Sequence, residues 1–549
     1  MSTSDHLQTL KDGYTFAGGE TLTLGAAVVE DTVHADVPVT LPLGMLNRHG
    51  LVAGATGTGK TKTLQFMAEQ LSEAGVPVFL ADVKGDLSGL ATPGEPSAKL
   101  AERTAATGMD WAPEGYPVEF LALGGDGVGV PVRATVDSFG PVLLSRIMDL
   151  NETQESCLQL MFHWADERDL PLDDLKDLKA LVTHLTSDEG KEDLKGLGGV
   201  AKATANVILR EVTGLQADGM DQFFGVPEFE TAELLRTAPD GRGVISCLEL
   251  PPLQSKPQLF STFMIWLLAD LFQELPEAGD LDKPKLVFFL DEAHLIFKGA
   301  SKAFLESITN TVRLIRSKGV GLFFVTQNPT DVPAEVLGQL ANRVQHALRA
   351  FTPTDAKALR ATVATFPHTE YELEKVLTSA KVGEAVVTVM DPDGAPTPVA
   401  LTRMWSPRSL MSPSTPETMQ AVLADSPLME MYGTAQDRDS AFELLQKRAQ
   451  EAEAARAAQE QSEAREGART GADRREYDRG YARTSAPAST GRARARTAPR
   501  QERSDFDRAL GNFMKSAGTQ IGREVTRSLF GTRRRRNSGG GLLGKILGG

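Results

Sequence analysis

Cysteine is nearly absent from this sequence: Cys157 and Cys247 are the only two in 549 residues. Two thiols cannot build a disulfide framework or a four-ligand zinc site, which excludes stapled secreted domains and zinc modules and fits a reducing cytoplasm. Long apolar runs are missing as well. The richest stretch, Phe260 to Phe272, is interrupted by Asp270 and falls short of the roughly 20 residues that a spanning helix needs. It reads as a buried helix, and no transmembrane segment is expected. The opening MSTSDHLQTLKDG has neither a basic start nor an apolar core, so no secretion signal is expected.

Positive charge is scarce everywhere except at one end. The first 450 residues hold 37 Lys or Arg against 61 Asp or Glu, whereas residues 481–549 hold 15 against 4. Generic attraction of the whole surface to nucleic acid is thereby excluded, and any DNA contact must use a local basic lining or the tail.

The length implies one large or two medium folded units with appendages. Residues 1–50 read as short strands and turns, with GGETLTLGAAVVED as a hairpin. From 51 to 140, LVAGA, PVFLADV and PVEFLAL alternate with helical stretches, the βαβ rhythm of a parallel sheet. Residues 141–240 space their apolar positions by three and four and read as a helical insertion. Strands resume over 241–435 in GVISCLEL, KLVFFLDEAH, VGLFFVTQN, HALRAF and GEAVVTVMD. Residues 436–549 turn rich in Ala, Glu and Arg and then in Ser, Pro and Gly. Residues 440–465 read as a solvated helix, 466–503 as disordered, and Phe506 to Leu529 as a terminal helical pattern ahead of Arg533 to Arg536.

Chemistry is concentrated in three places. Gly54, Ala55, Thr56, Gly57, Thr58 and Gly59 precede Lys60, Thr61 and Lys62 in the pattern Gly-x4-Gly-Lys-Thr, between an apolar strand and a helix. Glycines there let backbone N–H groups approach phosphates, the lysine reaches the β and γ groups, and Thr61 serves as a ligand of Mg²⁺. The second place is Leu286 to Glu292, an apolar strand ending in two acids. Ligands bind at that edge of a parallel sheet, so Asp291 is expected on the metal and Glu292 on the attacking water. The third is Gln327, ending the next strand, where an amide senses phosphate or positions water without changing charge.

Other candidates have plain alternatives. Asp82, with Asp86 nearby, is expected to tune the metal or the water, against a simple turn built on Gly85. Arg313 and Arg316 sit on a helix before the Gln strand, and a planar guanidinium suits a finger reaching into a neighbouring subunit's site. Arg316 is preferred, with Arg343 a weaker candidate and solvated arginines the ordinary reading. His294 follows the two acids without a second His or Cys at ligand spacing, and reads as a helix-start residue that relays nucleotide state.

Taken in order, GATGTGKT, ADVKGD, LVFFLDEAH, RLIRSKGVGLFFVTQNPTDVP and LANRVQHALRAF resemble the HerA/FtsK superfamily of hexameric DNA-pumping ATPases, and among them the bacterial YjgR-type HerA-like group. The resemblance covers roughly residues 15–435. It implies an α/β fold with a RecA-like P-loop core, ATP and Mg²⁺ as cofactors, Lys60 and Thr61 on the nucleotide, Asp291 and Glu292 as the second motif, and Gln327 as sensor. It further implies an arginine near Arg316 acting in trans, a hexameric ring of identical subunits, and duplex DNA as partner. About fifty residues precede the phosphate loop, fewer than the β-barrel of archaeal HerA proteins occupies. Lys298 and Lys302 are candidate pore residues. The competing expectation is a switch that remodels a protein partner, with the basic tail docking that partner or an anionic membrane.

Overall fold

A computed structural model describes residues 2–480 apart from 125–126, 195–197, 251–256, 280 and 298–301. The expectations for residues 481–503, for the terminal pattern, for Arg533 to Arg536 and for Lys298 lie outside the described residues, whereas 466–480, expected to be disordered, continue the helix Ala441–Gly480. Lys302 opens the helix Lys302–Ile315.

Twelve strands form one sheet. They are β1 (Thr21–Val29), β2 (Thr32–Pro42), β3 (Gly50–Ala53), β4 (Val78–Asp82), β5 (Val118–Leu123), β6 (Val130–Val132), β7 (Ile245–Glu249), β8 (Leu286–Leu290), β9 (Val320–Thr326), β10 (Asn342–His346), β11 (Glu384–Thr388) and β12 (Ala400–Met404). Their order is β2-β1-β12-β11-β10-β3-β9-β8-β4-β7-β5-β6. From β10 to β6 every pairing is parallel, and from β2 to β10 every pairing is antiparallel. The expected α/β class with a mostly parallel sheet is what the chain adopts. Strands β3, β4, β7, β8 and β9 are buried along their whole length, which is why they read as continuous apolar runs.

Aromatic pairs clamp the middle of the sheet. Phe79 of β4 meets Phe288 of β8 with ring centroids 4.9 Å apart, and Phe289 of β8 meets Phe323 of β9 at 5.3 Å. Each such pair contributes about 0.5–1.5 kcal/mol beyond its buried area. The three strands so joined end at the functional edge described below.

The hairpin β1–β2 forms as expected, turning through Glu30 and Asp31, both at positive φ. Ahead of it the chain departs from the strand-and-turn reading, because Thr3–Gly13 is a helix closed by a capping box between Ser2 and Asp5. Leu10 and Tyr14 anchor that segment in the core, with the Tyr14 hydroxyl 3.0 and 2.8 Å from the carbonyls of Val387 and Pro398. Leu10 is the buried residue of this eleven-residue helix, too little apolar content to show a helical period. HALRAF also departs from its reading: β10 ends at His346, because the Ala347 carbonyl leaves the ladder to accept the Ala55 N–H.

Among the described residues between β6 and β7 lie the α-helices Val136–Ile147, Glu152–Asp166, Leu175–Thr186, Asp188–Asp193 and Lys202–Ala217. The first is broken at Gly140, with φ 75° ahead of Pro141. This layer meets the buried helix Pro257–Glu274 through Phe139, Phe223 and Trp266. The polar helix Ala441–Gly480 begins on the same layer. Buried Asp177 accepts the Ser440 hydroxyl and the Phe442 N–H on one oxygen, and the N–H groups of Asp173 and Asp174 on the other.

Candidate functional site

Register brings the chemistry to one edge. Ala53 is level with Thr326, Leu290 with Phe324, and Ala81 with Leu290. The residues that follow β3, β9, β8 and β4 therefore leave the sheet side by side. With β9 standing between β3 and β8, Gln327 emerges between the phosphate loop and the two acids.

The loop after β3 is held from several directions. Gly54 N–H donates to the Thr326 carbonyl and Ala55 N–H to that of Ala347, while the Thr58 hydroxyl closes back on the Ala55 carbonyl at 2.7 Å. A Cβ on Gly54 would come within 2.5 Å of His346 Cβ, and its φ of 153° disfavours any side chain. Gly59 caps the helix Lys60–Glu73 at φ 114°. Beneath the loop lies buried His346. Its Nδ1 faces the Glu384 carbonyl at 3.1 Å, so Nδ1 carries the proton and Nε2 accepts from the Thr63 hydroxyl at 2.9 Å. Burial pushes this imidazole down to about 3, and nearby Lys60 adds to the effect. It is a neutral support.

Lys60 is buried, and its ammonium donates to the carbonyls of Gly54 and Ala55. Burial lowers it from the ordinary lysine range, while the charges of Glu292 and Asp291 pull the other way. Thr61 occupies the first turn of the helix beside it. The Lys62 ammonium is directed away from the loop, to Gln65 Oε1 and the Met411 carbonyl. Only its backbone belongs to the helix start.

The acids at the end of β8 differ sharply. Asp291 is 5% exposed, its Oδ2 is buried and accepts no hydrogen bond among the described residues, and burial followed by the charge of Glu292 raises it to about 7. Burial would raise Glu292 too, but Lys84, Gln327 and His294 hold it below the usual carboxylate range. Lys84 Nζ lies 2.6 Å from Oε1, Gln327 Nε2 donates to both oxygens at 3.3 and 3.4 Å, and His294 Nδ1 is 3.2 Å from Oε2. Glu292 adopts φ 46°, a conformation that costs a non-glycine residue about 1–2 kcal/mol and that concentrates at functional sites. The Ala293 N–H donation to Val325, at 2.8 Å, anchors the turn. On the far side, the Thr56 hydroxyl donates to Gln327 Oε1 at 3.3 Å. Thr56, Gln327, Glu292 and Lys84 thus form a continuous polar chain from the phosphate loop to the loop after β4.

Asp82 does other work than expected. Its Oδ1 accepts the N–H groups of Lys84 and Gly85, and its Oδ2 that of Leu87. With side-chain exposure gone, this carboxylate organises the turn that presents Lys84. Asp86 belongs to the same turn, and Glu249, raised to about 8 mainly by burial, lies close to Asp82 and Cys247.

The arginines are not brought to this edge. Arg316 is exposed and precedes β9, so the seven residues of that strand put it roughly 23 Å from Gln327 at about 3.3 Å per residue. Arg313 is bonded to Asn310 on the same helix, and Arg343, at the start of β10, donates to the Thr365 carbonyl. Two residues that the sequence reading passed over matter here. Lys84 was visible only as a charge inside ADVKGD. Arg103 donates to the Gly383 and Met404 carbonyls, and Gly383 N–H in turn bonds the Thr58 carbonyl of the phosphate loop.

Among the described residues no helix is long and apolar enough to cross a membrane. In comparison with known proteins, the chain is 22% identical over 367 residues to the DNA double-strand break repair helicase HerA of Sulfurisphaera tokodaii, covering 66% of each chain. It is 36% identical over 117 residues to a probable helicase of Methanocaldococcus jannaschii, 21% of each. The chain thus spans just under two thirds of the first relative and about a fifth of the second. Among solved structures, the bacterial conjugative coupling protein TrwB lacking its first 70 residues aligns at 16% identity and TM-score 0.48, over 74% of this chain and 94% of that one. The model of the helicase HerA-like C-terminal family matches residues 28–537, most of the chain, which therefore belongs to that family.

Proposed function

We propose that this protein hydrolyses ATP with Mg²⁺ and uses the energy to move or remodel duplex DNA as a ring of identical subunits. The observation that carries the reading is the meeting of Lys60, Asp291, Glu292 and Gln327 at one edge of β3, β8 and β9. Family membership and the helicase relatives point the same way.

The residues present suit the cofactors. Asp291 offers a buried oxygen without a hydrogen-bond partner, a donor appropriate to a hard divalent cation. Backbone N–H groups at the start of the helix Lys60–Glu73, reached through glycines at positive φ, suit phosphate oxygens. Bound ATP supplies the phosphoryl group and Mg²⁺ neutralises its charge. Lys60 would hold the β and γ phosphates, and Thr61 and Asp291 the metal. Glu292 would accept the proton of the attacking water, kept in place by Gln327 and Lys84. An exposed arginine, Arg316 first, would come from the neighbouring subunit, since its own site is beyond its reach.

Steady-state hydrolysis by the purified protein, with and without long duplex DNA, beside Lys60→Ala, tests this reading. Several-fold stimulation by DNA together with an inactive variant is expected. The acidic body, 37 basic against 61 acidic residues in the first 450, favours a second reading, remodelling of a protein partner through the tail. Hydrolysis that depends on Lys60 yet ignores DNA would select it.

A further inference from the structure

We propose that Lys84 is a second lysine of the phosphate site, one that binds the terminal phosphoryl group and ties it to Glu292, so that the site discriminates a nucleoside triphosphate from a diphosphate. The inference rests on the nucleotide reading above and adds a residue to it. Nothing in the Gly-x4-Gly-Lys-Thr pattern or in the acid pair calls for a cation on the strand that lies beyond the acids.

Three observations converge. The turn after β4 is built around the buried Asp82 carboxylate, whose three N–H donors include that of Lys84 itself. A buried carboxylate so used fixes a backbone rather than a solvent-exposed loop. The β4–β8 register then sets Lys84 beside Glu292, with the ammonium 2.6 Å from Oε1. Finally, the Lys84 side chain is 42% exposed while Glu292 is 7% exposed. The ammonium has three donors, and the Glu292 oxygen at 2.6 Å takes one of them. The charges of Lys60 and Lys84 act on one another, and Asp291 acts on both.

The ordinary alternative is a purely structural ion pair that neutralises the buried Glu292 carboxylate and is indifferent to which nucleotide is bound. A lysine that contacts only the terminal phosphoryl group behaves otherwise, because a diphosphate lacks the group it touches. A compact, three-donor ammonium can also serve a phosphate oxygen and a carboxylate together, joining the group to be transferred to the residue that faces the attacking water.

The test is equilibrium binding, with Mg²⁺ present, of ADP and of a non-hydrolysable ATP analogue to the full-length protein and its Lys84→Met and Lys84→Arg variants. Far-ultraviolet circular dichroism checks the fold of each. Lys84→Met is expected to weaken the triphosphate analogue by tenfold or more and ADP by less than threefold, with Lys84→Arg recovering most of the loss. Equal weakening of both ligands, or none, overturns the inference while leaving the nucleotide reading intact. If the unaltered protein binds neither ligand, both fall.

Discussion

At the residue scale, the two acids ending β8 are adjacent in sequence yet are driven in opposite directions by their surroundings. Asp291 is buried and raised to about 7, whereas Glu292 is held low by Lys84, Gln327 and His294. A carboxylate held low is ionised at neutral pH, so Glu292 has no proton to donate and can only accept one. Glu292→Gln is therefore expected to cut hydrolysis by about 10²-fold or more while leaving triphosphate binding in place, as measured by turnover beside equilibrium binding. Glu69 on the helix after the phosphate loop shows burial without chemistry. Its carboxylate accepts the N–H groups of Arg408 and Ser409, and burial raises it to about 7. The folded state then holds a proton that the unfolded chain releases near the ordinary glutamate range. That contribution is complete below about pH 4.5 and disappears as pH rises through about 7. Between pH 5 and 8, denaturant unfolding of the natural protein should lose roughly 2–3 kcal/mol more than unfolding of Glu69→Gln. Parallel pH profiles would refute the assignment.

At the element scale, strand runs and the phosphate loop were legible because their signals are local. A glycine pattern between a strand and a helix, and an apolar run ending in acids, need no knowledge of neighbours. What Lys84 meets was illegible, since it depends on which strand lies beside β8 and in which register. Asp82, expected to tune the metal or the water against a turn built on Gly85, is a local case: its carboxylate accepts three N–H groups within five residues. Arg316 was expected on the helix with Arg313, yet that helix ends at Ile315 and Arg316 opens a short 3-10 turn; the strand it feeds sets it at the opposite edge. The start of the long polar helix Ala441–Gly480 is held by Asp177, beside the Arg438–Asp173 pair and the Ala441 N–H donation to Pro171. Asp177→Ala leaves the N–H groups of Phe442, Asp173 and Asp174 without this acceptor, while the Ser440 hydroxyl keeps Glu443, and is expected to cost about 2–4 kcal/mol. Faster hydrogen exchange over residues 440–446 with unchanged nucleotide affinity is the expected signature, because the phosphate loop is built on other elements.

At the scale of the whole molecule, charge is divided between an acidic body and a basic end. If DNA is the substrate, residues 481–549 supply much of the long-range attraction. Removing them should weaken duplex binding and flatten its dependence on salt, since fewer counterions are released. Among the described residues the core runs from Leu10 to Leu445, and the thermal midpoint of the truncated protein checks that this body stays folded. An unchanged salt slope would locate the DNA contact on the body instead. Local order and composition were enough to read the mostly parallel α/β class, the phosphate loop, the acid pair and the charge division, all properties of neighbouring residues and of residue counts. Tertiary structure alone decided the strand order that sets β9 between β3 and β8, the partnership of Lys84 with Glu292, and the distance separating Arg316 from its own site. Those depend on contacts between segments tens to hundreds of residues apart, whose pairing is selected by burial and register over the whole sheet.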